Sequence, residues 1–361
     1  MTTDLGLPLV GGQHDVPGST EPQKAKDYKS GQEVRWCPGC GDYVVLNAVQ
    51  SFLPTLGLKR ENIVFISGIG CSSRFPYYMN TYGMHSIHGR APTIATGLAL
   101  SRPDLSTWVV TGDGDALSIG GNHLIHALRR NVNFTILLFN NRIYGLTKGQ
   151  YSPTSEPGKV TKSTPAGSVD HPFNPVSLAL GAEATFVARA IDSDRKMLTD
   201  VLQAAADHRG ASLVEVYQNC PVFNDGAFDV LTDKAESERR IIPLRDGEPV
   251  RFGPESPDGA GEFGVVRDSA SGALAVRRVA EPGADAVLRH DPAADDPTQA
   301  FGLSRLTDHD LGYVVTGIFR QVRRPAYDDL VREQVRAAAG RGERADLQSL
   351  LNGTDTWTVS P

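Results

Sequence analysis

The sequence predicts an α/β fold: a doubly wound parallel sheet with helices on both faces, followed by an irregular C-terminal extension. Three observations predict it. Short runs of apolar or β-branched residues alternate with helix-patterned segments, as expected when parallel strands are buried on both faces. The 361 residues are 40% hydrophobic and 22% charged, enough apolar material for a sizeable core. Gly (37) and Pro (23) are plentiful, which suits many tight loops between elements.

Composition also excludes several classes. Lys plus Arg number 36 against 42 Asp plus Glu, a net charge of −6, so this is no strongly basic nucleic-acid binder. No stretch approaches the roughly 18 to 20 apolar residues of a membrane-spanning helix. The first 32 residues are polar and lack the apolar run of a secretory signal, so a cytoplasmic location is expected.

Residues 1–34 read as a flexible arm. The body, 35–230, carries the strand runs at Asn62–Ser67, Thr107–Thr111, Asn133–Phe139, Ala184–Ala188 and Ser212–Tyr217. Helical patterns fall at Tyr43–Phe52, Thr93–Ser101, Ile119–Arg130, Pro175–Leu180 and Asp194–Arg209. Residues 231–361 change texture, and Pro243–Gln299 is rich in Pro, Gly, Asp and Ala. Within it Gly264–Arg267 and Leu274–Val279 flank a turn-rich Ser269–Gly272, a hairpin pattern. Tyr327–Arg341 reads as one helix with Gly340 near its end. This extension is expected to pack on a partner as an arm or cap.

Two constellations carry chemistry. The run Thr107–Thr111 leads into Gly112-Asp113-Gly114-Asp115. Twenty-five residues separate Gly114 from Asn140-Asn141, which close the next apolar run and precede Arg142-Ile143-Tyr144-Gly145. Glycines let backbone approach a ligand closely. The Asp113 carboxylate, the Asn141 amide oxygen, a backbone carbonyl and two diphosphate oxygens would make most of the octahedral shell that Mg²⁺ prefers. Both turns would lie at the carboxyl ends of parallel strands, where ligands bind in such sheets. The pairing and spacing resemble the thiamine diphosphate motif. By that resemblance Asp113, Asn141 and the carbonyl of Ile143 hold Mg²⁺.

The four cysteines are the second constellation. Cys37 and Cys40 form Cys-Pro-Gly-Cys, Cys71 follows the first strand run, and Cys220 follows the last. Three readings stand on the residues alone: unrelated thiols, a structural zinc, or an iron–sulfur cluster. Zinc sites more often use two close Cys pairs, and this chain has one. A tight pair plus two distant cysteines suits a cluster better.

Taken together, five motifs occur in order. They are Trp36–Asp42, Ile69-Gly70-Cys71-Ser72, His85–Arg90, Gly112–Asp115 and Asn140–Gln150. As a set they resemble the β subunits of 2-oxoacid:ferredoxin oxidoreductases, nearest the 2-oxoglutarate enzymes of actinobacterial type. The resemblance covers 33–230 strongly and the extension weakly. It implies a thiamine-diphosphate-binding fold and a 4Fe–4S cluster on Cys37, Cys40, Cys71 and Cys220. Cofactor contacts are implied for Ile69 to Ser72, Ile87, His88, Gly89, Arg90, Gly112, Gly114, Asp115, Asn140, Gly145 and Leu146.

The implied reaction is oxidative decarboxylation of 2-oxoglutarate with coenzyme A, giving succinyl-CoA and CO₂ and reducing ferredoxin. The same chemistry on pyruvate and a zinc-stabilised scaffold are the alternatives. His88, beside Gly89-Arg90, reads as a donor to the cofactor rather than a packed neutral imidazole. Lys148 lies seven residues after Asn141 and reads as a cation for the distal carboxylate of a dicarboxylic substrate, against the alternative of a solvated surface lysine. Thiamine enzymes need a glutamate from a pyrimidine-binding domain, and only one nucleotide-type sheet is legible here. The resemblance therefore implies a separate α subunit and an α2β2 assembly.

Overall fold

The computed structural model describes residues 11–254, 261–279, 286–339 and 346–359. Its main sheet has eight strands in the order β2-β1-β3-β4-β8-β7-β13-β9. These are β1 (Ile63–Ser67), β2 (Tyr82–His85), β3 (Ser106–Gly112), β4 (Phe134–Asn140), β7 (Phe186–Ile191), β8 (Ala211–Tyr217), β9 (Ile241–Pro243) and β13 (Val314–Gln321). The first six run parallel. Strand β13 joins β7 antiparallel, and β9 runs parallel to β13. Strands β5 (Ile143–Tyr144) and β6 (Gln150–Tyr151) form a small hairpin after β4. Strands β10 (Arg251–Phe252), β11 (Phe263–Arg267) and β12 (Leu274–Arg278) form a separate antiparallel sheet.

Helices cover both faces. On one, α1 (Asp42–Phe52) and α7 (Arg195–Asp207) pack over Phe65, Trp108, Leu137 and Val214. On the other, α3 (Ala91–Ser101), α5 (Gly121–Arg130), α6 (Pro175–Gly181) and α9 (Thr298–Arg305) pack over Ile66, Val109, Ile136 and Leu213. The short helices α2 (Phe75–Tyr78) and α4 (Asp113–Leu117) leave the ends of β1 and β3. Helices α8 (Lys234–Arg240), α10 (Tyr327–Ala339) and α11 (Leu347–Asn352) belong to the extension after 230. Central strands carry apolar residues on both faces because both are covered; β4 and β8 are buried at every position.

Two expectations need correction. The extension is not merely an irregular cap: it gives β9 and β13 to the main sheet and Ile242, Leu303 and Phe319 to its core. The run Val314–Phe319 is apolar enough to have marked that strand. Over 11–34 the segment read as flexible lies against the body: Tyr28 is fully buried and Gly12 donates to the Asp207 carbonyl. A tyrosine and Val16 supply the apolar area that holds it there. The predicted hairpin is present as β11 and β12. The predicted last helix runs to Ala339, and its expected end at Gly340 and Arg341 lies outside the described residues, as do 1–10 of the arm.

Candidate active site

The loops that leave β1, β3, β4 and β8 at their carboxyl ends enclose a cavity of about 400 Å³. Of the residues named from the motifs, Ile69, Gly70, Cys71, Ser72, His88, Gly112, Asp113, Gly114, Asp115, Asn141, Ile143, Gly145 and Leu146 line it. Ile87, Gly89, Arg90, Asn140 and Lys148 do not line it. Ile87 is 72% exposed, and Arg90 donates to the His88 carbonyl from outside. Phe139, Tyr144, Thr147, Gln150 and Gln218 also line the wall without having been singled out.

Glycine is needed where the walls meet. A Cβ on Gly114 would stand 2.2 Å from the Tyr144 ring, whose hydroxyl donates to the Gly114 carbonyl. One on Gly68 would stand 1.8 Å from an Asp115 oxygen. Asp115 itself is engaged within the chain. Its Oδ1 accepts from Gly89 and Ile69 amides and meets His88 Nδ1, and its Oδ2 accepts from Thr111. Its carboxylate therefore shapes the wall rather than reaching out from it.

Asp113 is 3% exposed, and burial pushes its carboxyl up to about 6, against the opposing hydrogen bonds from Ser152 and Thr154. No basic side chain pairs with it among the described residues. A buried carboxylate facing a cavity with no counter-ion suits a divalent cation. The Asn141 amide oxygen accepts from the Ile143 amide, which closes the turn that presents both residues. Thr154 was not foreseen: it lies beyond the motif, and its hydroxyl sits 2.7 Å from Asp113 Oδ2.

The four cysteines are free thiols on three segments tied to one another. The Trp36 indole donates to the Cys71 carbonyl, and the Gly41 amide donates to the Asn219 carbonyl beside Cys220. Gly39 takes φ +82 in the Cys-Pro-Gly-Cys turn and faces Pro221. A Cβ on Gly145 would lie 3.4 Å from the Cys71 sulfur and 3.6 Å from that of Cys220. Burial pushes the Cys71 thiol up to about 12, with the charges of Asp42, Cys220 and Cys37 adding to it. Cys40 moves in the same direction, mostly by burial and then by Asp42. Among the described residues no group of three or more His, Cys, Asp or Glu is placed to hold a single metal ion. A tetrahedral zinc would need four sulfurs about 2.3 Å from one point.

A parallel sheet whose carboxyl edge brings Asp113 and Asn141 to one cavity has the architecture of a thiamine diphosphate-binding subunit. Residues 68–216 match the family described as "Thiamine pyrophosphate enzyme, C-terminal TPP binding domain". The chain is 66% identical over 360 residues to the 2-oxoglutarate oxidoreductase subunit KorB of Mycobacterium tuberculosis, covering 99% of this chain and 94% of that one. It is 43% identical over 225 residues to a 2-oxoacid:ferredoxin oxidoreductase subunit beta of a Sulfolobus species, covering 61% and 72%. A solved 2-oxoglutarate:ferredoxin oxidoreductase from Magnetococcus marinus, with 2-oxoglutarate, coenzyme A and succinyl-CoA bound, superposes with a TM-score of 0.73 at 33% identity. That match covers 94% of this chain and all of the other. The chain belongs to the β subunits of the 2-oxoacid:ferredoxin oxidoreductases.

Proposed function

We propose that this β subunit serves the oxidative decarboxylation of 2-oxoglutarate with coenzyme A, yielding succinyl-CoA and CO₂ and passing two electrons singly to ferredoxin. One observation carries the reading: Cys71 and the Asp113–Asn141 pair line the same cavity. Electrons released at the cofactor would thus arise beside the cysteine site. Neither the pyruvate-specific nor the zinc-scaffold alternative gains support from the relatives.

Asp113, Asn141 and the Ile143 carbonyl would hold Mg²⁺, which binds the cofactor's diphosphate. Ile69 to Ser72, Gly112, Gly114, Gly145 and Leu146 would hold the cofactor itself. When bound, thiamine diphosphate supplies the nucleophile for the 2-oxoacid carbonyl and the sink for the electrons released with CO₂. Cys37, Cys40, Cys71 and Cys220 would carry a 4Fe–4S cluster. His88 would donate at the cavity wall, its ring fixed by Asp115. Lys148 would pair with the distal carboxylate of the substrate.

The partner is an α subunit that supplies the pyrimidine-binding half and its glutamate, in an α2β2 assembly. The cavity's neighbour is an apolar edge: β2 is exposed at all four positions, and Tyr77, Ile87 and Ile119 are exposed near it. A bare edge strand with such neighbours suits a surface covered by that subunit. No helix among the described residues is long and apolar enough to cross a membrane. Unpaired thiols and a ferredoxin partner support work in the cytoplasm.

The test is anaerobic purification of the chain co-expressed with its α subunit. About four irons and four sulfides per β chain, with Mg²⁺ and thiamine diphosphate, are expected. Reduction of a viologen should require both 2-oxoglutarate and coenzyme A, and the β chain alone should be inactive. One zinc per chain with no iron or thiamine overturns the reading.

A further inference from the structure

We propose that Thr154 is a positioning residue for the metal carboxylate, its hydroxyl joining the two turns that present Asp113 and Asn141. This rests on the reading that those two residues hold Mg²⁺. Thr154 is buried, with its Oγ1 2.7 Å from Asp113 Oδ2 and 2.9 Å from Asn140 Oδ1. Asp113 opens the turn after β3, and Asn140 ends β4. One hydroxyl thus stands between both ligand-bearing turns.

Its own place is fixed. The Ser152 amide donates to Ser155 Oγ, and Ser155 Oγ donates to the Arg142 carbonyl at 2.6 Å. The loop that carries Thr154 is therefore stitched to the second turn. From the far side the Asn140 amide donates to Glu215, which also accepts from Arg189, and both charged groups are fully buried. Arg189 in turn donates to Thr307 in the extension.

The hydroxyl carries one proton and serves one acceptor at a time. An ionised carboxylate is the stronger acceptor. Asn140 Oδ1 keeps a donor regardless, because the Arg142 amide reaches it. Thr154 therefore donates to Oδ2 of Asp113, and with Ser152 as a second side-chain donor it fixes the rotation of the carboxylate. Outer-shell donors of this kind set metal affinity by holding a ligand in place before the ion arrives.

The test uses the α–β complex stripped of metal, at saturating thiamine diphosphate, with Mg²⁺ titrated by calorimetry. Thr154→Val, which keeps the shape and loses the donor, should weaken Mg²⁺ binding about tenfold to a hundredfold. Thr154→Ser should stay within about threefold of the parent, because the hydroxyl returns. At saturating Mg²⁺ the kcat of Thr154→Val should recover, since no reacting group was touched. Thr154→Ala serves if the valine variant does not fold. Parent-like Mg²⁺ affinity in the donor-free variants, or a serine variant as weak as valine, overturns the proposal. A parent complex that binds neither Mg²⁺ nor thiamine diphosphate overturns the metal-site reading beneath it instead.

Discussion

His88 Nδ1 lies 2.5 Å from Asp115 Oδ1, and that carboxylate also holds the amides of Gly89 and Ile69 and the hydroxyl of Thr111. One buried side chain thus fastens the loop after β1, the turn before α3 and the end of β3. Asp115→Leu would strand three or four donors, and each unmade bond costs about 1–3 kcal/mol. The expected loss is roughly 3 kcal/mol or more in urea unfolding of the metal-free chain. Asp115→Asn should cost much less, since its oxygen still accepts and its NH₂ can donate to Thr111. A leucine variant within about 1 kcal/mol of the parent would refute this role.

The side of Gly145 where a Cβ would stand faces the sulfurs of both Cys71 and Cys220, at 3.4 and 3.6 Å. A valine there would add an isopropyl group to space that the sulfurs border. Gly145→Val should therefore lower iron and sulfide per chain to about half or less, because a cluster deprived of one of its four thiolates is no longer securely held. Elemental analysis of the anaerobic complex, beside Cys220→Ser, provides the check. Full iron content in both variants would show that the four cysteines do not share one cluster.

The sheet and most of this site were legible because their signals are local. A buried parallel strand announces itself as an unbroken apolar run, and Asp113 and Asn141 sit directly after two such runs. Thr154 was not legible, because a hydroxyl 41 residues from its partner leaves no periodic trace. Strand β2 was missed for a different reason: Tyr82–His85 is exposed at an edge and lacks the apolar pattern of the interior strands. Cofactor contact for Arg90 and Asn140 followed from motif position alone. Neither lines the cavity: Asn140 donates to Glu215 and Arg90 to the His88 carbonyl.

His208 gives a pH dependence separate from the active site. Its Nε2 lies 2.8 Å from Thr185 Oγ1, and burial, helped by the Arg323 charge, holds its pKa down at about 4 against 6.5. The folded state therefore binds fewer protons than the unfolded state between those values. Stability from this group is complete above about 6.5 and is lost as pH falls towards 4, by roughly 3 kcal/mol. Buried Asp42 and Asp113 are shifted upward and act in the opposite direction, so the comparison must be between parent and His208→Gln. Urea midpoints at pH 7 and pH 4.5 should converge between the two at the lower pH. Parallel pH slopes would exclude His208 as the source.

Lys148 sits in the turn between β5 and β6 with φ +76, followed by Gly149 at +96. The turn is closed by bonds from the Lys148 amide to the Gly145 carbonyl and from the Gly149 amide to that of Tyr144. A left-handed lysine costs about 1 kcal/mol that a glycine would not. Its side chain is exposed, has no ion-pair partner among the described residues, and lies beside the cavity residues Thr147 and Gln150. A strained, unpaired cation at the rim suits a free carboxylate of the substrate better than a role in the fold. Lys148→Met keeps the length and removes the charge. It should lower kcat/KM for 2-oxoglutarate about tenfold to a hundredfold, the value of a charge-assisted bond, while turnover of pyruvate changes little. Lys148→Arg should retain much of the preference. If the methionine variant keeps the parent's ratio between the two substrates, the distal carboxylate is recognised elsewhere, and the α subunit becomes the place to look for it.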